Sequence, residues 1–321
     1  MKNQAAIGID IGGTNTVLGL VDRYGKILVA RSMPTKTSED YTVYMDSLCN
    51  AIADLIAAGY TETEITGIGI GAPNGNYYNG TIEFAPNLKF NGIVPVVDYI
   101  KARFSYPIVV LTNDANAAAI GEMVYGGARN MKDFIMITLG TGVGSGIVVA
   151  GEMVYGHDGF AGEIGHTIVD PHGRHCGCGR QGCLETYTSA PGIKRTVFEL
   201  LANRTEDSVL RNESFNCLSA KKIDEAARSG DKIAIEAFEI TGEILGLKLA
   251  DAVAHTSPEA IFLFGGLAQA GDLIFDPVKK HFENQVLNIY KNKVKILPSE
   301  LPPGDAAILG ASALVWKESG K

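Results

Sequence analysis

Ile7-Gly8-Ile9-Asp10-Ile11-Gly12-Gly13-Thr14 is an apolar run that ends in an aspartate and a turn of glycine and hydroxyl residues. Ile135-Met136-Ile137-Thr138-Leu139-Gly140-Thr141-Gly142 repeats the pattern later in the chain. Residues 5–11 read as a buried strand, with further strands at 16–22 and, beyond the turn Tyr24-Gly25, at 27–33; the second run is followed by a strand at 145–150. Taken alone, a Gly-Gly turn is most simply a hairpin. Its exposed N–H groups also cradle phosphate oxygens, because glycine admits an anion to the main chain. The recurrence of strand, glycine-threonine turn and strand raises nucleotide binding above the plain hairpin, since two similar halves can clamp a polyphosphate from both sides. Asp10, at the end of its strand, is then placed to hold Mg²⁺ through water.

A second dense stretch runs from Glu163-Ile164-Gly165-His166 to Cys176-Gly177-Cys178-Gly179-Arg180-Gln181-Gly182-Cys183-Leu184-Glu185. One histidine and three cysteines fill a tetrahedral zinc shell, and a closed shell of four protein ligands makes such a metal structural. Glycines at 173, 177, 179 and 182 supply the tight turns needed to fold the ligands onto one ion. His172 and His175 lie in the same segment as competing ligands. Cys49 and Cys217 read as plain core or surface thiols, and five cysteines with three crowded together do not describe a disulfide framework. In isolation Glu163 reads as a surface carboxylate and Glu185 as a helix-start charge.

Between these stretches the chain alternates strands and helices. A helix opened by Ser38 and closed by Gly59 carries apolar residues at 41, 44, 45, 48, 52, 55 and 56, the spacing of one buried face. The strand at 66–71 contains Gly67-x-Gly69-x-x-Ala72, a formal match to the dinucleotide fingerprint. Pro73-Asn74-Gly75 follows it as a turn where the fingerprint requires a helix, so that reading fails. Residues 72–92, with Pro86-Asn87, read as a long polar loop. A strand at 107–111 delivers Asn113-Asp114 into a helix from about 115 to 122. Locally these two residues read as a helix cap; the other reading is a carboxylate at the carboxyl end of a strand, where ligands gather in α/β sheets. Residues 232–255, including Ile235, Phe238, Leu245, Leu249 and Val253, read as a buried helix. A strand at 260–264 ends in a third glycine turn, Gly265-Gly266, before a helix from about 273. After a strand at 294–297 and the hinge Pro302-Pro303-Gly304, a final helix spans 305–315.

The chain of 321 residues has room for two domains of ordinary size. Hydrophobic content of 46% with 20% charged residues describes a soluble globular protein, with no run that spans a membrane. Only Lys2 precedes the break at Asp10, so a signal peptide is not expected and a cytoplasmic location follows. A net charge of −8 argues against nucleic acid as the main partner.

Together, Ile9-Asp10-Ile11-Gly12-Gly13-Thr14, Asn113-Asp114, Leu139-Gly140-Thr141-Gly142-Val143-Gly144, Glu163-Ile164-Gly165-His166, the cysteine segment through Glu185, and Pro258-Glu259 with Gly265-Gly266 resemble the ROK family of bacterial sugar kinases, especially its glucokinase-like members. The likeness covers essentially the whole chain, and its cysteine portion is the most specific part. It implies an α/β, two-lobed ribonuclease H-like and actin-like ATPase fold of the hexokinase type with a zinc-binding loop. The smaller lobe would comprise 1–115 plus 305–321 and the larger 116–304, with an active site between them that closes on sugar. By the same resemblance, Asp114 is the general base. Asn113, Glu163, His166 and Glu185 bind sugar hydroxyls; His166, Cys176, Cys178 and Cys183 hold structural Zn²⁺. Asp10 coordinates Mg²⁺-ATP, the turns with Gly12, Gly13, Thr14, Gly140, Thr141 and Gly142 hold its phosphates, and Gly265-Gly266 lies near adenosine. Family habit suggests a homodimer.

The activity so implied is ATP-dependent phosphorylation of a hexose, glucose to glucose 6-phosphate, in carbohydrate metabolism and glycolysis. An N-acetylglucosamine or N-acetylmannosamine kinase is the alternative within the enzyme class. A sugar-sensing regulator is a third reading. Repressors of this kind carry a helix-turn-helix domain ahead of the first phosphate turn, which here falls within the first fifteen residues.

Overall fold

A computed structural model describes residues 3–35, 39–58 and 63–320. Ser38 and Gly59, the expected ends of the first helix, lie outside the described residues. In chain order the elements are β1 (Asn3–Ile11), β2 (Asn15–Asp22), β3 (Ile27–Pro34), α1 (Tyr41–Ala57), β4 (Thr63–Ala72), β5 (Gly75–Asn76), β6 (Thr81–Glu83), β7 (Ile93–Val94), α2 (Val96–Lys101), β8 (Ile108–Asn113) and α3 (Asp114–Tyr125). They continue with β9 (Phe134–Leu139), β10 (Val143–Val149), β11 (Glu152–Met153), α4 (Glu185–Thr188), α5 (Ala190–Asn203), α6 (Ala220–Arg228), α7 (Lys232–Thr256), β12 (Ala260–Phe264), α8 (Asp272–Gln285), β13 (Lys295–Pro298) and α9 (Ala306–Ser319).

The chain divides into two compact units. The first comprises Met1–Lys132, Gly146–Gly162 and Ser299–Lys321; the second comprises Asp133–Ser145 and Glu163–Pro298. The main sheet of the first has the order β3-β2-β1-β4-β8, with β1–β2–β3 antiparallel and β1, β4 and β8 parallel. The other large sheet runs β11-β10-β9-β12-β13, with β9, β12 and β13 parallel. Residues 72–92, expected as one polar loop, instead contain β5 and β6, which with β7 form a small antiparallel sheet. Its strands are two or three residues long, with five of their seven residues buried, too short for a period-2 pattern to register in the sequence.

α1 starts at Asp40, whose side chain accepts the Thr42 N–H, and buries Tyr44, Met45, Leu48, Cys49, Ile52 and Leu55 on one face. Those side chains join Ile7, Ile9, Leu18, Ile68 and Leu111 in the core of the first unit. In the second unit α7 buries Phe238, Leu245, Leu249 and Val253 as its composition suggests. Ile235, expected inside with them, is 44% exposed, because it lies in the first turn and on the outward side. Among the described residues no helix is long and apolar enough to cross a membrane.

The Gly67-x-Gly69 pattern is explained by packing. A Cβ at Gly8 would overlap the Ile308 carbonyl oxygen, and one at Gly69 the Ala311 carbonyl oxygen. α9, written Ala-Ala-Ile-Leu-Gly-Ala-Ser-Ala, therefore lies backbone to backbone on β1 and β4. These glycines seat a helix and do not open one. Gly69→Ala is expected to lower unfolding stability by about 1–3 kcal/mol or more, read as a shift of the urea midpoint, because neither backbone can yield independently.

Candidate active site and metal centre

The parallel register of the first unit brings its acidic residues to one edge. Asp10 pairs with Gly71 on β4, Gly71 pairs with Thr112 on β8, and the next pair is Ala72 with Asn113. The carboxyl ends of three parallel strands thus carry Asp10, Gly71 and Asn113-Asp114 side by side, the position where ligands bind in α/β sheets. Gly71 keeps this edge open. A Cβ there would stand 3.6 Å from Asp10 Oδ1 and 3.6 Å from the Asp114 Cα.

Asn113 caps α3: its Oδ1 accepts the Ala115 N–H at 2.8 Å, and Asp114 Oδ1 takes the same N–H at 2.8 Å. The capping reading is therefore correct at the level of local geometry, and it is compatible with a further role because it fixes where Asp114 begins. Part of Asp114 is open to solvent, but the atoms packed around its carboxyl desolvate it and raise it above the ordinary carboxylate value. Asp10 is half-buried; desolvation first, and the Asp114 charge second, push its pKa from 3.8 up to about 7.

The first glycine turn is closed by the Gly12 N–H bonding to the Asn15 carbonyl at 3.1 Å, and the Thr35 N–H reaches the Thr14 carbonyl at 2.9 Å. Thr16, just beyond it, is fully buried and shares its hydroxyl with Thr35 Oγ1 at 2.8 Å and the Tyr44 hydroxyl at 2.7 Å. Asn87 lies so near Gly13 that a Cβ would meet its carbonyl at 3.0 Å. The buried Thr16–Thr35–Tyr44 cluster was missed from sequence; its signal, a tyrosine on a largely aliphatic helix face, is slight.

The second unit repeats the arrangement. β9 and β12 are parallel, with Phe264 opposite Thr138, so the turns at 140–142 and 265–266 leave adjacent strands at the same end. Gly140 donates to the Gly142 carbonyl at 3.0 Å. Gly265 holds φ +103° over the end of β9, where a Cβ would lie 2.6 Å from the Leu139 carbonyl oxygen. Glycine is needed there for both reasons.

His166, Cys176, Cys178 and Cys183 converge, each offering one donor atom, and those atoms all lie within 4.8 Å of one another. His166 Nδ1 is 3.7 Å from Cys176 Sγ, and Cys178 Sγ is 3.6 Å from Cys183 Sγ. A tetrahedron with metal–sulfur bonds of about 2.3 Å has edges of about 3.8 Å, so the donor set has the size and softness that zinc requires. His175, a competing ligand by sequence, instead has its ring against Gln181 Nε2 at 3.2 Å. The loop is braced from outside: Arg180 donates to the His166 carbonyl at 2.5 Å, and Arg174 bonds Glu199, the Thr186 and Gly192 carbonyls and Thr196. These two arginines inside the cysteine segment were also overlooked, although a cation among thiol ligands is a usable signal.

Glu185 connects the metal centre to the second turn. Its Oε2 accepts the Val143 N–H at 3.0 Å and its Oε1 accepts the Cys176 thiol at 3.7 Å. Glu163 is exposed at the start of a short 3₁₀ turn, Ile164–His166, whose first N–H bonds Ser145 Oγ at 3.1 Å. Glu163, His166, Glu185 and the turns at 140–142 and 265–266 thus belong to the second unit, and Asp10, the first turn, Asn113 and Asp114 to the first.

The raised pKa of Asp10 has a stability consequence. A carboxyl whose folded pKa of about 7 exceeds its ordinary 3.8 contributes stability that is complete below pH 3.8 and lost as pH rises through 7. In Mg²⁺-free protein, Asp10→Asn is therefore expected to melt above the parent at pH 8, with the gap closing toward pH 5, as followed by thermal denaturation.

Comparison with known proteins agrees with this architecture. The sequence profile described as "ROK family" matches residues 6–318. A glucokinase of Streptomyces coelicolor is 37% identical over 86% of this chain and 86% of its own. A putative xylose repressor of a Caldicellulosiruptor species is 31% identical over 96% of this chain and 77% of its own. Among solved structures, a ROK family glucokinase from Streptomyces griseus in complex with glucose and AMPPNP superposes with a TM-score of 0.81 at 34% identity, covering 98% of this chain and 99% of that one. With a profile spanning nearly its whole length and relatives at this identity, the chain belongs to the ROK family.

Proposed function

We propose that this protein is an ATP-dependent sugar kinase whose acceptor is a hexose, glucose before others. The observation that carries the reading is the pairing of Asp10 and Asp114 at one sheet edge, with Asp114 raised above the ordinary carboxylate range and set at the start of α3. The glucokinase kinship, and the glucose and AMPPNP bound to the Streptomyces griseus relative, support the same reading.

In the proposed reaction Asp114 accepts the proton of the attacking sugar hydroxyl, a task suited to a carboxylate of elevated basicity. Asn113, Glu163, His166 and Glu185 bind the remaining hydroxyls, each of which both donates and accepts. His166 turns Nδ1 toward the Cys176 thiol, which would leave Nε2 for the sugar. A structural zinc held by His166, Cys176, Cys178 and Cys183 would fix that ring. Asp10 would hold Mg²⁺, which supplies charge neutralisation to the phosphates, and the N–H groups of the turns at 12–14 and 140–142 would receive the phosphate oxygens. Gly265-Gly266 would adjoin the adenosine.

Asp114→Asn is expected to lower kcat roughly 10²- to 10⁴-fold in an ADP-release assay, with an unchanged circular dichroism spectrum. Parental turnover by this variant would sink the base assignment. Elemental analysis of the native protein is expected to find about one zinc per four-ligand shell, with Cys178→Ser losing both metal and sugar affinity. A panel of hexoses and N-acetylhexosamines in the same assay separates the glucokinase reading from an N-acetylhexosamine kinase. Sugar binding with no ADP release from any of them would favour a regulator, the class of the xylose repressor relative.

A further inference from the structure

Glu122 is fully buried, and its carboxylate is satisfied by uncharged donors. The N–H groups of Gly127 and Glu300 donate to Oε1 at 2.7 and 3.0 Å, and the Ser299 hydroxyl donates to Oε2 at 2.5 Å. A carboxylate removed from water without a cation beside it is costly, so its three donors must be well fixed.

The donors sit at particular points in the chain. The first unit's longest segment ends at Lys132, and its last segment begins at Ser299. Gly127 belongs to the turn that follows α3, and Ser299 and Glu300 are the first residues of that last segment. One side chain thus ties the turn behind α3 and the start of the last segment to the last turns of α3. The helix itself is a stiff connector: Ala115 to Glu122 are buried without interruption. It lies against α9 at glycine contacts, where a Cβ on Gly121 would stand 2.8 Å from the Gly310 Cα and one on Gly310 would stand 2.7 Å from the Ala117 carbonyl oxygen. Asp114 opens this helix, and Glu122 is eight residues further on, about 12 Å along the axis.

We propose that Glu122 is a positioning residue for Asp114: by bonding the turn behind α3 and the start of the last segment, its carboxylate fixes the axial position of α3 and with it the stance of the base beside Asp10. This rests on the kinase reading given above. A shift of α3 would change both the reach of Asp114 and the desolvation that raises its pKa, whereas a purely structural role would lower the folded fraction and nothing else.

Three variants and one control test it. Glu122→Ala removes all three acceptor contacts. Glu122→Gln keeps Oε1 for the two N–H groups and offers an N–H to Ser299 Oγ. Ser299→Ala keeps the carboxylate and loses one donor. Glu122→Ala is expected to lower kcat roughly tenfold or more per folded molecule, as a misplacement on the ångström scale does, with a smaller change in sugar KM and a displaced acid limb of the kcat profile. Glu122→Gln should recover most of kcat and the parental limb, and Ser299→Ala should move both in the same direction as Glu122→Ala by less. Hydrogen exchange on the protein without ligands should show faster amides at 113–118 in Glu122→Ala and Ser299→Ala but not in Asp114→Asn. Should Glu122→Ala not fold, Ser299→Ala carries the test. Parental kcat, pH profile and exchange in Ser299→Ala, or losses that match only the unfolded fraction, overturn the proposal. An active Asp114→Asn control would instead remove the kinase reading, while the exchange result would still decide whether Glu122 holds the start of α3.

Discussion

The backbone-to-backbone contact of α9 with the glycine face of β1 and β4 sets the first unit's geometry. It fixes the strands that carry Asp10 and Gly71 near their carboxyl ends. Through Gly310 it also fixes α3, which begins with Asp114. One helix of small residues therefore determines how far apart two carboxylates stand, although neither carboxylate belongs to it. Close packing of this kind tolerates no added methyl, because interiors are as dense as organic crystals and the clashing atoms are carbonyl oxygens.

That fixed separation stores electrostatic cost at the sheet edge. Asp10 would be ionised at neutral pH in water, but desolvation and the neighbouring Asp114 charge carry its pKa to about 7. Sites that hold like charges close together in a partly dry setting are unfavourable until a cation or a proton arrives, and perturbed carboxyls gather at functional sites for that reason. Two acids of the unit, Asp10 and Glu122, are handled differently. Asp10 has a like charge beside it, whereas Glu122 is met by three neutral donors and serves as an anchor.

The second unit solves a separate problem, that of holding polar side chains steady on an irregular loop. Residues 163–185 contain little regular structure, so their positions come from converging thiols and an imidazole, from Arg174 and Arg180, and from glycines at positive φ such as Gly179 and Gly182. Glu185 extends this frame to the second glycine turn through the Val143 N–H. The loop and the turn consequently form one hydrogen-bonded body within that unit.

The repeated strand-turn-strand pattern, the Cys and His spacing and the apolar faces of α1 and α7 were all legible in the chain, because periodicity and ligand chemistry are local properties. So was the capping role of Asn113, which needs only the next two residues. The short β5-β6-β7 sheet, the exposure of Ile235, the purpose of Gly8 and Gly69, and the alignment of Asp10 with Asp114 were not. Each depends on a partner distant in sequence: α9 for the glycines, and the register of β1, β4 and β8 for the carboxylates. By itself the sequence determined which residues can do chemistry and which turns can approach a phosphate. Only the tertiary structure decided which of them meet, because strand register and helix seating are set by packing between segments that no local pattern encodes.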